Sequence, residues 1–308
     1  MHDVTAPVVL AVGFFDGVHR GHQAVLDQAR AKARTEGAEL WVLTFEPHPL
    51  KVIKPEIAPP LLTSLPHKTK LFERLGVSGL CVVDFTPSLR NMEAAAFVGN
   101  LVNKTPDLRG IVVGMNWRFG RDQQGNTTLL QQMAPEHGVS VTPVAHVDID
   151  GMPVSSTRIR DALRHGALEE AEHMLGRPFS IYGDVVDGHG IGTELGYPTA
   201  NVDPHNEVHP PAGIYAGYAL MDGRKYKAAI YIGSRPTFQN DDAFVVEVHL
   251  MDVKLDIYGR ELEVFLVQKM REDKRFPSRD ELRIQIGKDI ASIRELLTER
   301  FQRNAGQY

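Results

Sequence analysis

His19 and His22 stand three residues apart in Gly13-Phe14-Phe15-Asp16-Gly17-Val18-His19-Arg20-Gly21-His22, directly after the apolar run Val8–Val12. A glycine-bearing turn between a strand and a helix lets backbone N–H groups approach a phosphate, and the helix start adds its positive dipole end. At this spacing two imidazoles share one face of the first turn and can donate to one phosphate. Two other readings stand beside this one. The segment can be an exposed helix start with two ordinary histidines, or the pair can share a metal ion, for which no third ligand is visible nearby. The flanking strand, Asp16 and the glycines favour phosphate.

A second constellation lies later in the chain. Gly188-His189-Gly190-Ile191-Gly192-Thr193-Glu194-Leu195-Gly196 permits a tight loop whose amides face phosphates. It is neither a Walker A sequence nor a dinucleotide fingerprint in context, and a plain turn is the other reading. Tyr197-Pro198-Thr199-Ala200-Asn201 follows it, and Glu247 interrupts the apolar run Val245–Leu250. A carboxylate there either faces solvent on an alternating strand or serves a site. Ser155-Ser156-Thr157, ahead of a helical stretch, offers hydroxyls and N-terminal amides to a helix cap or to a triphosphate, and Arg160 adds charge.

The elements that must position these groups fall into two kinds. Up to about Arg177, short β-rich runs (Val8–Val12, Leu40–Phe45, Leu80–Asp84, Ile111–Gly114) alternate with helical ones (Gln23–Thr35, Ala94–Val102, Thr128–Gln132). That alternation predicts a parallel sheet flanked by helices. A helical pair, Ile159–Arg164 and Leu168–Leu175, ends at Gly176-Arg177-Pro178, which places a domain boundary near 176–180, with domains 1–177 and 178–308. Beyond it, Ile214–Met221, Lys227–Ile232, Val245–Leu250 and Leu262–Val267 read as strands without helices between them, hence a small antiparallel barrel or sandwich. From Arg279 to about Phe301, Leu282, Ile286, Ile290, Ile293 and Leu297 recur at helical spacing and predict a terminal helix with one face on the barrel.

Composition narrows the partners. The 308 residues suit two domains, and a formal charge of −5 without a Lys/Arg-rich run argues against nucleic acid. The one cysteine, Cys81, lies in an apolar run expected to be a buried strand, and Met1–Thr5 with the stretch broken by Gly13 and Asp16 is expected to be neither a signal peptide nor a membrane span. A cytoplasmic protein acting on small molecules is expected.

In the order Gly13–His22, Thr44-Phe45-Glu46-Pro47-His48-Pro49, Val113-Gly114-Met115-Asn116-Trp117-Arg118-Phe119-Gly120 and Ser155–Arg160, the first half resembles the FMN adenylyltransferase branch of the nucleotidylyltransferase superfamily. In the second half, Pro198-Thr199-Ala200-Asn201, Pro211–Ala216, Ile232–Phe238, Val246–Asp252, Leu255–Arg260 and Met270–Phe276 resemble riboflavin kinases. Nearly the whole chain is thus similar to the prokaryotic bifunctional riboflavin kinase/FMN adenylyltransferases, or FAD synthetases. The resemblance implies an α/β nucleotidylyltransferase domain of the Rossmann-like, HxGH type, followed by a small antiparallel β-barrel kinase domain with a C-terminal helix. It also implies ATP as co-substrate, riboflavin, FMN and FAD as substrates and products, and Mg²⁺.

By the same resemblance His19 and His22 stabilise charge at the α-phosphate of ATP. Gly13, Phe14, Asp16, Gly21, Ser155, Ser156, Thr157 and Arg160 bind that nucleotide, and Pro47, His48, Asn116 and Arg118 the flavin. In the kinase half, Gly188, Gly190, Gly192, Gly196 and Pro198 hold ATP, Thr199 and Asn201 hold Mg²⁺, Arg271 and Phe276 meet the flavin, and Glu247 is the general base. Two departures stand out. Asn116-Trp117 replaces an acidic residue followed by Phe, and Thr193 stands where the family commonly has Arg. Thr193 motivates the alternative of an adenylyltransferase with a decayed kinase domain; a flavin-binding regulator without turnover is the other alternative.

Overall fold

Five consecutive apolar residues form β1 (Val8–Val12), buried on both faces, as a central strand of a parallel sheet must be. Its odd and even side chains enter different cores. Val8, Leu10 and Val12 pack with Phe97, Val98, Ile111 and Val113, whereas Val9 and Ala11 pack with Leu26, Ala29, Leu71 and Phe72. The computed structural model describes residues 6–188, 191–235, 243–253 and 255–304. It divides into two units, Met1–Leu61 with Leu65–Ser156, and Leu62–Ser64 with Thr157–Tyr308.

In the first unit β1 is followed by α1 (Arg20–Glu36), β2 (Glu39–Glu46), α2 (Leu65–Arg74), β3 (Gly79–Asp84), α3 (Ala94–Lys104), β4 (Leu108–Gly114), α4 (Thr127–Met133) and β5 (Ser140–Val144). The sheet order is β3-β2-β1-β4-β5, with all pairs parallel. The chain reverses direction of winding between β1 and β4, and ligands in open parallel sheets bind outside the carboxyl ends of the strands at such a point. The turn carrying His19 leaves β1 there. One expectation needs correction: β3 is an edge strand, so Cys81 is only half-buried and Val82 is exposed, because an edge has a neighbour on one side alone.

The second unit begins with α5 (Ser156–Arg164, whose first residue falls in the first unit) and α6 (Leu168–Leu175). Six strands follow: β6 (Ser180–Val186), β7 (Ala200–Pro204), β8 (Gly213–Met221), β9 (Arg224–Arg235), β10 (Ala243–Leu250) and β11 (Glu261–Arg271). They close an antiparallel barrel in the order β6-β7-β10-β9-β8-β11. Val246, Val248, Ile230 and Ile232 are fully or almost fully buried, and the alternate positions Glu247 and His249 point away from that core. The terminal helix α7 (Arg279–Asn304) lays Ile286, Ile290, Ile293 and Leu297 against Ile214, Ala216, Tyr218 and Ala229 on the outer barrel wall.

Two candidate active sites

In the first unit the turn between β1 and α1 is strained. Phe15, Gly17 and Val18 have φ of 57°, 82° and 40°, and for a β-branched residue such as Val18 that is a costly conformation. Strain of this kind persists only where surrounding contacts over-determine it, and it gathers at functional sites. Here the contacts are plain. Val18 N–H donates to Phe15 O (3.1 Å), Gln23 Nε2 to Val18 O (2.9 Å), Ser156 Oγ to Asp16 O (2.9 Å) and Thr44 Oγ1 to Phe14 O (3.0 Å). Three of the four motifs of this half thereby meet at one turn.

The turn delivers His19 as the N-cap of α1, where its Nδ1 accepts the His22 N–H at 3.4 Å. The two imidazoles stack with centroids 3.6 Å apart and 16° between planes, and the edge of Phe15 meets His22 at 5.3 Å. Gly21 lies against the His19 ring, and Gly13 N–H donates to Leu43 O. Asp16 and His19 are buried. Two parallel imidazoles at a helix start form a donor pair of the kind an anionic phosphate needs.

The flavin candidates of this half are placed less uniformly. His48 caps a short helix, with Nδ1 accepting Leu50 N–H at 3.0 Å, and its ring meets the Phe14 edge at 4.3 Å, so Pro47-His48 sits beside the strained turn. Asn116 Nδ2 lies 2.8 Å from His146 Nε2, and Arg118 is exposed. Trp117 stacks on Phe119 at 4.7 Å and meets Phe97 at 6.0 Å, so its ring is anchored in the core rather than standing free. Ser155 belongs to the first unit with Ser156; Thr157 is exposed and Arg160 buried in the second.

In the second unit, strand register builds the site. Asn201, Glu247, Tyr231, Ile214 and Arg271 are successive cross-strand neighbours around β7, β10, β9, β8 and β11. Residues directly opposite share a face, so this row lies on the outer wall. Thr199 Oγ1 donates to Glu247 Oε2 at 3.4 Å. The glycine loop presses on the same groups. A Cβ at Gly188 would collide with Asn201 Nδ2, and one at Gly192 would come within 2.5 Å of Tyr197 O and 2.9 Å of Thr199 Oγ1. At Gly192 a side chain would meet backbone, and at Gly188 it would push Asn201 aside, so glycine is what lets the loop lie this close to both side chains. Gly190 lies outside the described residues.

Two cavities adjoin this row. One, of about 600 Å³, is lined by Thr193, Gly196, Pro198, Thr199 and the segment around Ile257. The other, of about 730 Å³, lies between the outer barrel wall and α7, lined by Gly192, Thr199, Glu247, Arg271 and Phe276. Thr199 borders both. Among the described residues no cation lines the smaller cavity, and Arg271, which borders the larger one, is clamped by Asp289 (2.7 Å from Nη2) and by Glu272 O. The Arg235 side chain lies outside the described residues.

Sequence reasoning missed several groups. Asp289 holds Arg271, Tyr231 Oη donates to Asp273 Oδ2 at 3.1 Å beside Glu247, and Lys68 is wholly buried beneath Phe14. The fully exposed look of Lys68-Thr69-Lys70 hides the last. A carboxylate about three turns into a terminal helix carries no local signal for the first.

The likeness to known proteins agrees with this geometry. The FAD synthetase family model matches residues 2–158 and the riboflavin kinase model residues 175–297. A bifunctional riboflavin kinase/FMN adenylyltransferase of Escherichia coli K12 is 38% identical over 288 residues, covering 93% of this chain and 92% of that protein. One from Pseudomonas fluorescens is also 38% identical, covering 94% and 92%. A solved Streptococcus pneumoniae chain, described as a macrolide-efflux protein, has 29% identity and a TM-score of 0.80 over 95% of this chain and 96% of its own. Among the described residues no helix is long and apolar enough to cross a membrane. The paired motifs, the parallel sheet joined to a closed barrel, and matches over nearly the full length show that the chain belongs to the bifunctional riboflavin kinase/FMN adenylyltransferase family.

Proposed function

We propose that this chain makes FAD in two ATP-dependent steps, phosphorylating riboflavin in residues 178–308 and adenylylating FMN in residues 1–177. The observation that carries the first step is the Thr199 hydroxyl, which borders both barrel cavities and donates to Glu247. ATP takes the smaller cavity beside Gly196 and Pro198, and riboflavin takes the larger one beside Arg271 and Phe276. Their reacting ends meet at Thr199, Asn201 and Glu247. Glu247 accepts the proton of the riboflavin 5′-hydroxyl as its oxygen attacks the γ-phosphorus, and ADP leaves.

Thr199 and Asn201 offer hard oxygens beside a carboxylate, the donor chemistry Mg²⁺ prefers, with a glycine backbone close enough to bring phosphate oxygens to them. When bound, Mg²⁺ neutralises phosphate charge. In the other half, an FMN phosphate oxygen attacks the α-phosphorus and pyrophosphate departs. His19 and His22 donate hydrogen bonds to the developing charge, the strained turn supplies backbone amides, and no covalent enzyme intermediate is needed. ATP as co-substrate of both steps supports a cytoplasmic place of work.

The test is incubation with riboflavin, ATP and Mg²⁺, followed by separation of the flavins. FMN should rise first and FAD follow, and excess chelator should stop phosphorylation. Riboflavin recovered unchanged would leave only a flavin-binding protein.

A further inference from the structure

Lysine is almost never fully buried unless paired, because removing an ammonium from water is costly. Lys68 is 0% exposed, on the same face of α2 as Leu71 and Phe72, where a leucine would fill the core at no electrostatic cost. Its Nζ donates to Phe14 O at 3.4 Å and stands 4.2 Å over the Phe14 ring. One turn further along, Phe72 meets the Phe15 edge at 5.6 Å. The helix therefore grips both residues of the turn that presents His19 and His22.

Two carboxylates act on Lys68. Burial pulls its pKa below the usual lysine value, and the Glu46 and Asp16 carboxylates pull it back up. Glu46 closes β2, with Oε2 buried and no hydrogen-bond partner among the described residues, while Asp16 is 2% exposed in the turn itself. The Lys68 ammonium thus acts on two carboxylates, Asp16 buried and Glu46 partly so. Its removal would strengthen the repulsion that these carboxylates exert on a polyphosphate arriving at the histidine pair.

We propose that Lys68 is a positioning residue of the adenylyl-transfer site, fixing the Phe14–Asp16 turn and offsetting Asp16 and Glu46 so that ATP can approach His19 and His22. The inference rests on the assignment of FMN adenylylation to this half. It makes two demands on the same ammonium, a contact and a charge, and these separate experimentally.

Adenylylation of FMN is measured against ATP concentration for wild type, Lys68→Met and the double variant Lys68→Met with Glu46→Gln. Riboflavin phosphorylation by the same preparations controls for the second unit, and thermal unfolding followed by circular dichroism, compared with wild type, reports the folding of the first, which holds Lys68. Lys68→Met should lower kcat/KM for adenylylation about 100-fold, the scale of a misplaced catalytic geometry, mainly through KM for ATP, with phosphorylation unchanged. The double variant, with one carboxylate neutralised, should regain about tenfold. Where Lys68→Met does not fold, Lys68→Gln, which keeps a donor for Phe14 O and drops the charge, enters the same comparison. Unchanged adenylylation in the single variant, or a double variant no better than the single, overturns the proposal. Wild type that phosphorylates riboflavin yet makes no FAD would instead overturn the assignment of the site.

Discussion

At the scale of residues, the proposed kinase step turns on a carboxylate that strand alternation points away from the barrel core. Glu247 sits between Val246 and Val248, which are buried, and it faces Thr199 and the larger cavity. Glu247→Gln keeps the shape and removes the base, so riboflavin phosphorylation should fall about 10²–10⁴-fold, measured as initial rate at saturating ATP. Thr193 tests the opposite direction. It lines the smaller cavity, where no described residue supplies a cation, and Arg271 is held in the other cavity by Asp289. Thr193→Arg should therefore lower KM for ATP in phosphorylation about tenfold, the worth of one charge-assisted contact. An unchanged KM would mean that the phosphates lie away from position 193.

At the scale of elements, Gly188 and Gly192 allow the loop backbone to touch Asn201 and Thr199. Gly188→Ala should suppress phosphorylation while the barrel stays folded, because the added methyl displaces Asn201 rather than a core side chain; near-normal thermal unfolding with lost FMN production checks this. Much of this scaffold was legible in the sequence. Val8–Val12, Leu40–Phe45 and the barrel runs are apolar segments of strand length, and the α7 stripe Ile286, Ile290, Ile293, Leu297 has one possible partner face. What was not legible is long-range. Asn206 Nδ2 binds Leu62 O across 144 residues, tying Leu62–Ser64 to the second unit, and Lys68 reads as one of two exposed lysines until α2 is seen to turn it inward. The edge position of β3, which leaves Val82 exposed, likewise depends on sheet order that no local pattern encodes.

At the scale of the whole molecule, two chemistries share one chain, and the groups proposed to serve them lie in separate units: His19 and His22 in the first, Thr199, Asn201 and Glu247 in the second. The first half reads as a switch-point site of a parallel sheet, the second as a site on the wall of a closed barrel. Product of the second is substrate of the first, so a defect in either should be visible as a different accumulating flavin. The most direct measurement is a paired product assay on His22→Ala and Glu247→Gln, each given ATP and Mg²⁺ with riboflavin in one reaction and FMN in another. His22→Ala should convert riboflavin to FMN and stop there, with FAD formation from supplied FMN reduced about 10²–10³-fold, the scale of a lost donor to developing charge. Glu247→Gln should leave riboflavin largely unconverted yet turn supplied FMN into FAD at the wild-type rate. Equal loss of both reactions in either folded variant would contradict the division of labour between the two sites.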